Sequence, residues 1–200
     1  MITLEKSPSE LPQKAQQILQ GALPEFLKRG YAGTSMDRIA KMAGVSKQTL
    51  YSYFPDKEGL FTALITQMAV QKFRLVWSKP LEGEPQQVLT DLAQRILQHI
   101  DDPQHLCFVR LIIAESGQQP HLSQAFLRNV AQPAIAILSN YLQDHPELNI
   151  DDPEVTAQIF VGTLIHHLLT QEMLHGREIM PLDPERLVKN LVGLIVRGNS

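Results

Sequence analysis

Apolar residues recur every three or four positions along most of the chain, and prolines and glycines separate one apolar segment from the next. This spacing is typical of amphipathic helices, which bury one face and expose the other. No segment alternates apolar and polar residues in the way that a half-buried strand does. The pattern therefore predicts an all-α protein.

Prolines near the segment boundaries indicate where the helices begin, because a missing amide costs least in the first turn. The first helix is expected from Pro12 to about Arg29, and a long helix from Lys57 to about Trp77. Pro80, Gly83 and Pro85 then interrupt the chain. Further helices are predicted over residues 86–100, 104–116, 121–131, 133–144, 153–174 and 184–197.

The stretch between the first helix and the long helix predicts two short helices and a tight turn. Thr34 followed three residues later by Asp37 is a capping-box pattern, so a helix should begin there with the Thr34 hydroxyl accepting a bond from a free amide. Gly44 ends this helix, because glycine adopts positive φ without steric cost. Ser46 is placed to cap a second helix, Lys47 to Phe54.

The second short helix has an apolar underside and a polar leading turn. Leu50 and Phe54 share the apolar face, Pro55 ends the helix, and Asp56 is placed to cap the next one. Two short helices joined by a glycine turn form a helix-turn-helix unit, whose second helix lies in the major groove of DNA. A plain helical hairpin with a solvated outer face is the alternative that composition alone leaves open.

The polar turn of this second helix carries side chains that match the edges of base pairs. Lys47 can donate to a phosphate or to guanine, Gln48 matches the donor and acceptor of adenine, and Thr49 suits either base. Tyr51 and Tyr53 can reach oxygens of the DNA backbone.

The string from Phe26 to Leu64, FLKRGYAGTSMDRIAKMAGVSKQTLYSYFPDKEGLFTAL, resembles the DNA-binding domain of the TetR family of bacterial transcriptional regulators. The likeness covers about 45 residues, from Gln16 to roughly Leu60. It implies a three-helix DNA-binding head with a helix-turn-helix, followed by a helical ligand-binding and dimerisation domain. It also implies that phosphates are held by Thr34, Ser35, Tyr53 and Lys57, and that base edges face Lys47, Gln48, Thr49 and Tyr51.

Pro24 departs from the family pattern, because the family usually has a helix former at this place in the first helix. Proline removes an amide and crowds the carbonyl of Gln20, so a kink or an early break is expected there, at a cost of roughly 3 kcal/mol. Gly21 is close enough to absorb the bend.

The charges divide unevenly along the chain. Residues 1–78 hold ten Lys and Arg against six Asp and Glu, and residues 79–200 hold eight against fifteen, so plus four and minus seven give the net minus three. A basic first part beside an acidic remainder is typical of a protein whose first part alone binds a polyanion. Chance variation among surface charges gives the same division.

Length, cysteine content and hydropathy set the broad class. Two hundred residues suffice for one large domain or two modest ones, and a single cysteine, Cys107, excludes an internal disulfide and suits a reducing cytoplasm. With no cleavable leader and no apolar run long enough to span a bilayer, we expect a soluble, cytoplasmic protein without a membrane partner.

These patterns predict four parts of the chain: a flexible arm over residues 1–11, a helix-turn-helix DNA-binding domain over 12–56, a connecting helix over 57–79, and a ligand-binding and dimerisation domain over 80–200. Lys6 of the arm can visit a minor groove, although a frayed terminus is the simpler interpretation.

A second likeness lies at Arg110 to Leu127, RLIIAESGQQPHLSQAFL, which resembles the ligand domain of the AefR-like subgroup of TetR regulators. In the family, the helices that carry the following residues lie around an effector cavity. On that ground the candidate lining residues are Phe73, Trp77, Leu97, Cys107, Phe108, Leu111, Phe126 and Phe160, with His99, Arg110 and Glu115 as polar fixing points. Each aromatic residue is otherwise an ordinary core residue.

The segment from Ala157 to Thr170, AQIFVGTLIHHLLT, is apolar around most of its circumference and needs cover on two sides. We expect a homodimer through helices of about 133–144 and 153–174, with Gly162 and Thr163 allowing close approach. A dimer presents two recognition helices to successive major grooves, roughly 34 to 36 Å apart, and so predicts an operator that is an inverted repeat. The alternative is a central helix of a monomer.

Catalytic and metal-binding patterns are sparse. Glu172 with His175 forms one Glu-x-x-His step, whereas di-iron bundles use two. We therefore predict no enzyme, no cofactor and no metal site. Three functions stay open: a ligand-responsive repressor that binds double-stranded DNA and a small molecule, an effector-independent regulator or activator, and a helical metalloprotein.

Overall fold

A computed structural model describes residues 11–100 and 103–197, and within these ranges it contains helices and no strand. The α-helices in chain order are α1 (Gln13–Gly33), α2 (Met36–Ala43), α3 (Lys47–Tyr53), α4 (Lys57–Trp77), α5 (Pro85–Ile100), α6 (Pro103–Glu115), α7 (Pro120–Phe126), α8 (Gln132–Gln143), α9 (Pro153–Leu168) and α10 (Pro184–Arg197). The predicted all-α fold is confirmed. The predicted arm lies, except for its last residue, outside the described residues.

The predicted helix boundaries hold most closely for α4 and α10, which begin and end at the predicted residues. Two predicted α-helices are shorter than expected, because each passes into a π-helical turn. These turns are Leu127–Ala131 after α7 and Leu169–Met173 after α9. A π-turn carries one extra residue per hydrogen-bonded ring, and apolar spacing does not reveal it.

The chain folds into two compact units. The first contains the described residues up to Lys72 together with Cys107–Val130, and the second contains Phe73–Leu106 with the described residues from Ala131 onward. The predicted domains, with boundaries at residues 56 and 79, stay a prediction. The boundaries of the compact units fall elsewhere, after Lys72, Leu106 and Val130. Phe108, with other apolar residues of α6 and α7, is buried in the same core as α1 to α4.

The core of the first unit surrounds three aromatic rings. The ring centroids of Phe26 and Phe61 are 4.4 Å apart, and those of Tyr31 and Phe61 are 5.1 Å apart. Leu50 of α3 is fully buried in this core, so the short third helix is anchored by its apolar side.

The second unit is a bundle in which α8 packs along α9 and α10 packs along α5. Phe160 and Leu164 of α9 are fully buried at its centre. The hydroxyl of Tyr141 donates to the carbonyl of Gly83 at 2.9 Å. Burial raises the pKa of Tyr141 to about 12, with a further contribution from the nearby carboxylates of Glu147 and Glu84.

The backbone of α1 passes through Pro24 without leaving the helical conformation, so the predicted early break there is wrong. Pro24 and Gln20 are both exposed, and water can bind the carbonyl that has lost its amide partner. The backbone departs from helical angles at Gly30 instead, with φ 67° and ψ 180°. Gly21 serves a close approach, since a Cβ there would lie 2.7 Å from the Cα of Ala43 in α2.

Candidate nucleic-acid interface

The turn between α1 and α2 is held from inside by Thr34. Its hydroxyl donates to the carbonyls of Glu25 at 3.1 Å and of Gly30 at 2.8 Å, and the residue is only 3% exposed. Ser35 occupies the N-cap position of α2 and makes no side-chain capping bond. The predicted capping by Thr34 is therefore wrong, because its hydroxyl binds carbonyls of the preceding helix instead of accepting from an amide of α2.

Two charged side chains fix the same turn from other helices. The Nζ atom of Lys57 in α4 donates to the carbonyls of Tyr31 at 2.8 Å and Thr34 at 3.1 Å, and it lies 4.3 Å from the centre of the Tyr31 ring. Glu115, at the end of α6, accepts a bond from the amide of Tyr31 at 3.0 Å. Burial, and then the carboxylates of Glu58, Asp56 and Glu115, raise the pKa of Tyr31.

Glu115 is a residue of the first unit that sequence reasoning assigned to an effector site. It lies 84 positions from Tyr31 in the chain, so no local signal relates the two residues. Lys57 uses two of its three donors on the turn.

The turn of the helix-turn-helix is built as the sequence predicts. Gly44 adopts the left-handed conformation, with φ 63° and ψ 37°. The side chain of Ser46 accepts from the amide of Thr49 at 3.0 Å and so caps α3. Gln17 of α1 adds a bond from its side-chain amide to the carbonyl of Ala43 at 2.7 Å, which ties the end of α2 to α1.

The polar residues predicted to read DNA lie together on the outside of α3. Lys47, Gln48, Tyr51 and Tyr53 are exposed. Thr49 is half-buried, and its hydroxyl lies 2.8 Å from that of Ser46. Because Leu50 and Phe54 are buried beneath them, the helix presents one polar face outward.

Charged residues of α2 extend this polar surface and were missed as candidates. Asp37 forms an ion pair with Lys47 at 2.6 Å. Arg38 is exposed and donates to the carbonyl of Gly33 at 3.1 Å, and Lys41 is exposed. The signal that could have found them is the presence of charges at the positions of α2 that do not face its apolar side.

The candidate effector residues are distributed over both compact units. The first unit contains Cys107, Phe108, Arg110, Leu111, Glu115 and Phe126, and the second contains Phe73, Trp77, Leu97 and Phe160. The side chain of His99 lies outside the described residues. Phe108 and Phe160 are fully buried, each in the core of its own unit. The rings of Phe108 and Phe126 are 6.2 Å apart, and the effector site stays a prediction.

The described residues contain no group of three or more metal-ligating side chains that could hold a metal ion. Glu172, of the single Glu-x-x-His step, forms an ion pair with Arg177. Within the same ranges, no helix is long and apolar enough to cross a membrane.

Replacing Ser46 with alanine is expected to lower the free energy of unfolding by about 1 kcal/mol, because the amide of Thr49 loses its capping acceptor. Chemical denaturation measures the change. Ser52→Ala is the matched control, since Ser52 is also an exposed serine of α3 but donates only to a helix carbonyl. A loss at Ser52 equal to that at Ser46 would contradict the capping role.

Two short helices, α2 and α3, are joined by a glycine turn and packed on an apolar core so that the polar side of α3 faces outward. This arrangement defines the class of the first unit, a helix-turn-helix DNA-binding domain. Two family models match the chain. "Bacterial regulatory proteins, tetR family" matches residues 18–64, and "AefR-like transcriptional repressor, C-terminal domain" matches residues 87–197. The chain therefore belongs to the TetR family of DNA-binding transcriptional regulators, and both resemblances noted in the sequence are confirmed.

Solved structures and curated proteins give the same family. The chain is 30% identical to the flavonoid-responsive regulator FrrA, with a TM-score of 0.79 over 93% of this chain and 96% of that one. It is 27% identical to a TetR-family regulator from Mesorhizobium loti, with a TM-score of 0.79 over 96% and 98% of the two chains. It is also 27% identical to the regulator RutR of Escherichia coli K12, over 88% of this chain and 68% of RutR. These relatives are named as transcriptional regulators and not as enzymes.

Proposed function

We propose that this regulator is a repressor that leaves its operator when a small apolar or aromatic molecule binds. The observation that carries the DNA-reading half of the proposal is the exposed polar face of α3 above a buried apolar side. The effector half is supported by the 30% identity to FrrA, which is named as flavonoid-responsive. A regulator of this kind acts in the cytoplasm, where bacterial DNA lies.

The proposed DNA contacts are those that the family resemblance implies, with one exception. Ser35, Tyr53 and Lys57 hold phosphates, and Lys47, Gln48, Thr49 and Tyr51 face base edges. We leave Thr34 out of this set, because its buried hydroxyl already binds two carbonyls of the same chain.

Release by an effector requires a coupling free energy between two sites. A ligand that binds more tightly to the protein free of operator must weaken operator binding, and operator must weaken ligand binding by the same factor. The candidate effector residues include Glu115, whose carboxylate binds the turn that precedes α2. This bond lies within the first unit and ties the end of α6 to the turn that precedes α2.

TetR-family regulators act as dimers, and we propose that this chain pairs through α9. Val155 and Ile159 are exposed on one face of α9, which also carries Gly162, where an added Cβ would meet nothing within 4 Å. A glycine inside a helix lowers helix stability, and nothing within the described part of the chain packs closely against Gly162. Close approach of a helix from a second subunit would explain why glycine occupies this position.

We assign the 133–144 helix a smaller share of this proposed interface than the sequence predicts. Ala134, Leu138 and Tyr141 of this helix are buried within the chain, whereas Ile137 is exposed. Leu194 of α10 is 74% exposed and offers a second apolar contact. We therefore propose an interface formed by α9 with Ile137 and Leu194.

The test is to select duplexes with a randomised core on the purified protein, and then to measure binding of the selected duplex with and without a panel of flavonoids. We expect an inverted repeat, and we expect some flavonoids to raise the unfolding temperature and to lower DNA affinity together. Selection without any ligand effect favours the alternative, an effector-independent regulator or activator. If no sequence is enriched, the DNA-reading proposal is wrong.

Replacing Gln48 with alanine is expected to cost about 1 to 3 kcal/mol on the selected duplex and little on random DNA, because the amide reads a base edge. Filter binding or anisotropy on both duplexes measures the difference. Gln87→Ala is the matched control, an exposed glutamine of α5 in the second unit. An equal loss on both duplexes for Gln48→Ala would remove Gln48 from the reading role.

A further inference from the structure

Asp37 lies where a DNA-binding surface normally carries positive charge. It occupies the first turn of α2, and its Oδ2 atom is 2.6 Å from the Nζ atom of Lys47, the first residue of α3. Both side chains are well exposed, at 60% for Asp37 and 64% for Lys47. Exposed ion pairs of this kind add little to folding stability, so the pair calls for another explanation.

The explanation lies in what a lysine does near DNA. An ammonium on a flexible stem is attracted first to phosphates, and a phosphate contact carries no sequence information. A carboxylate beside Lys47 repels phosphate and compensates the local positive charge. The carboxylate accepts a hydrogen bond from one of the three N–H groups of the Lys47 ammonium. The other two N–H groups can donate to the O6 and N7 acceptors of guanine.

We propose that Asp37 is a positioning residue that directs Lys47 toward a base edge and away from the phosphates, and so raises the sequence specificity of the protein. The inference rests on the proposed role of α3 in reading DNA. Asp37 acts through Lys47 and need not contact DNA itself.

This role predicts effects of opposite sign on two kinds of DNA. Without the carboxylate, Lys47 adds one phosphate contact, so binding to mixed-sequence DNA becomes tighter and its salt slope steeper by about one unit. Discrimination between the selected duplex and one with its guanines replaced falls by about tenfold, within the range for one base contact. A residue that merely stabilised α2 would change neither quantity.

The experiment compares Asp37→Asn and Asp37→Ser with the unmodified chain. The probes are the duplex enriched from a randomised pool by the unmodified protein, the same duplex with guanines replaced one pair at a time, and a mixed-sequence duplex. Glu185→Gln is the matched control, because it also removes an exposed carboxylate from the first turn of a helix. Lys47→Ala, alone and combined with Asp37→Asn, tests whether Asp37 acts through Lys47.

We expect both Asp37 variants to lose discrimination and to gain affinity for mixed sequence, and Glu185→Gln to do neither. In the Lys47→Ala background, Asp37→Asn should no longer change discrimination. The inference is overturned if the Asp37 variants keep the full ratio between the two duplexes, or if the loss persists without Lys47. If the unmodified protein enriches no sequence, both the proposed function and the inference are wrong. If the unmodified protein is selective and the Asp37 variants are equally selective, only the inference is wrong.

Discussion

Alanine in place of Gly21 is expected to destabilise the first unit by about 3 kcal/mol, at the upper end of the usual range for overpacking. Glycine to alanine inside a helix ordinarily stabilises a protein by about 0.5 to 1 kcal/mol, because alanine loses less backbone entropy. Here the added Cβ would lie 2.7 Å from both Cα and N of Ala43. These are backbone atoms, which no side-chain rotation can move away. Overpacking therefore outweighs the entropic gain, and the substitution lowers the free energy of unfolding.

Thermal and denaturant unfolding measure this effect, and hydrogen exchange of the amides of α2 localises it. Gly117→Ala is the matched control, since a Cβ at Gly117 meets nothing within 4 Å and should leave stability nearly unchanged. A Gly21→Ala protein as stable as the control would show that α1 and α2 are not in close contact.

Arginine in place of Ile159 is expected to convert the proposed dimer to monomer and to weaken binding to the duplex selected from the randomised pool by about a hundredfold or more. Ile159 is 58% exposed in the monomer and lies on the apolar face of α9 with Val155 and Gly162. A charge buried without a partner in an interface opposes association. In a dimer, binding of one subunit to its half-site raises the effective concentration of the other subunit at the second half-site. A monomer loses this effect, which is worth about 10² to 10⁴ in affinity.

Analytical ultracentrifugation gives the oligomeric state, and anisotropy on whole and half operators gives the affinities. Leu75→Arg is the matched control, because Leu75 of α4 is also a large exposed apolar residue, at 45%, outside the proposed interface. Half-site affinity should survive in both variants. A dimeric Ile159→Arg protein would remove α9 from the interface.

The elements around the recognition helix could be predicted from sequence because their determinants are local. Gly44, Ser46 and Asp56 each act on residues within three or four positions, and each does in the structure what its chemistry predicts. The amphipathic pattern likewise places Leu50 inside and Gln48 outside.

The features that sequence reasoning missed depend on partners far along the chain or on competition between partners. The capping pattern at Thr34 does not reveal that its hydroxyl binds carbonyls of α1 instead of an amide of α2. Glu115 meets Tyr31 only after the chain has folded, and Gly21 is explained only by the backbone of Ala43. The effector residues rest on the family resemblance, and the structure divides them between two units.

The first compact unit is discontinuous in sequence, and this has a consequence for biosynthesis. Because Cys107–Val130 completes that unit, the ribosome must make a stretch of the second unit, Phe73–Leu106, before the first can be finished. Glu115, whose carboxylate accepts the bond from the Tyr31 amide, is synthesised 84 residues after Tyr31. A chain truncated before Glu115 lacks this bond, so we expect its first unit to be less stable and more readily cleaved by proteases.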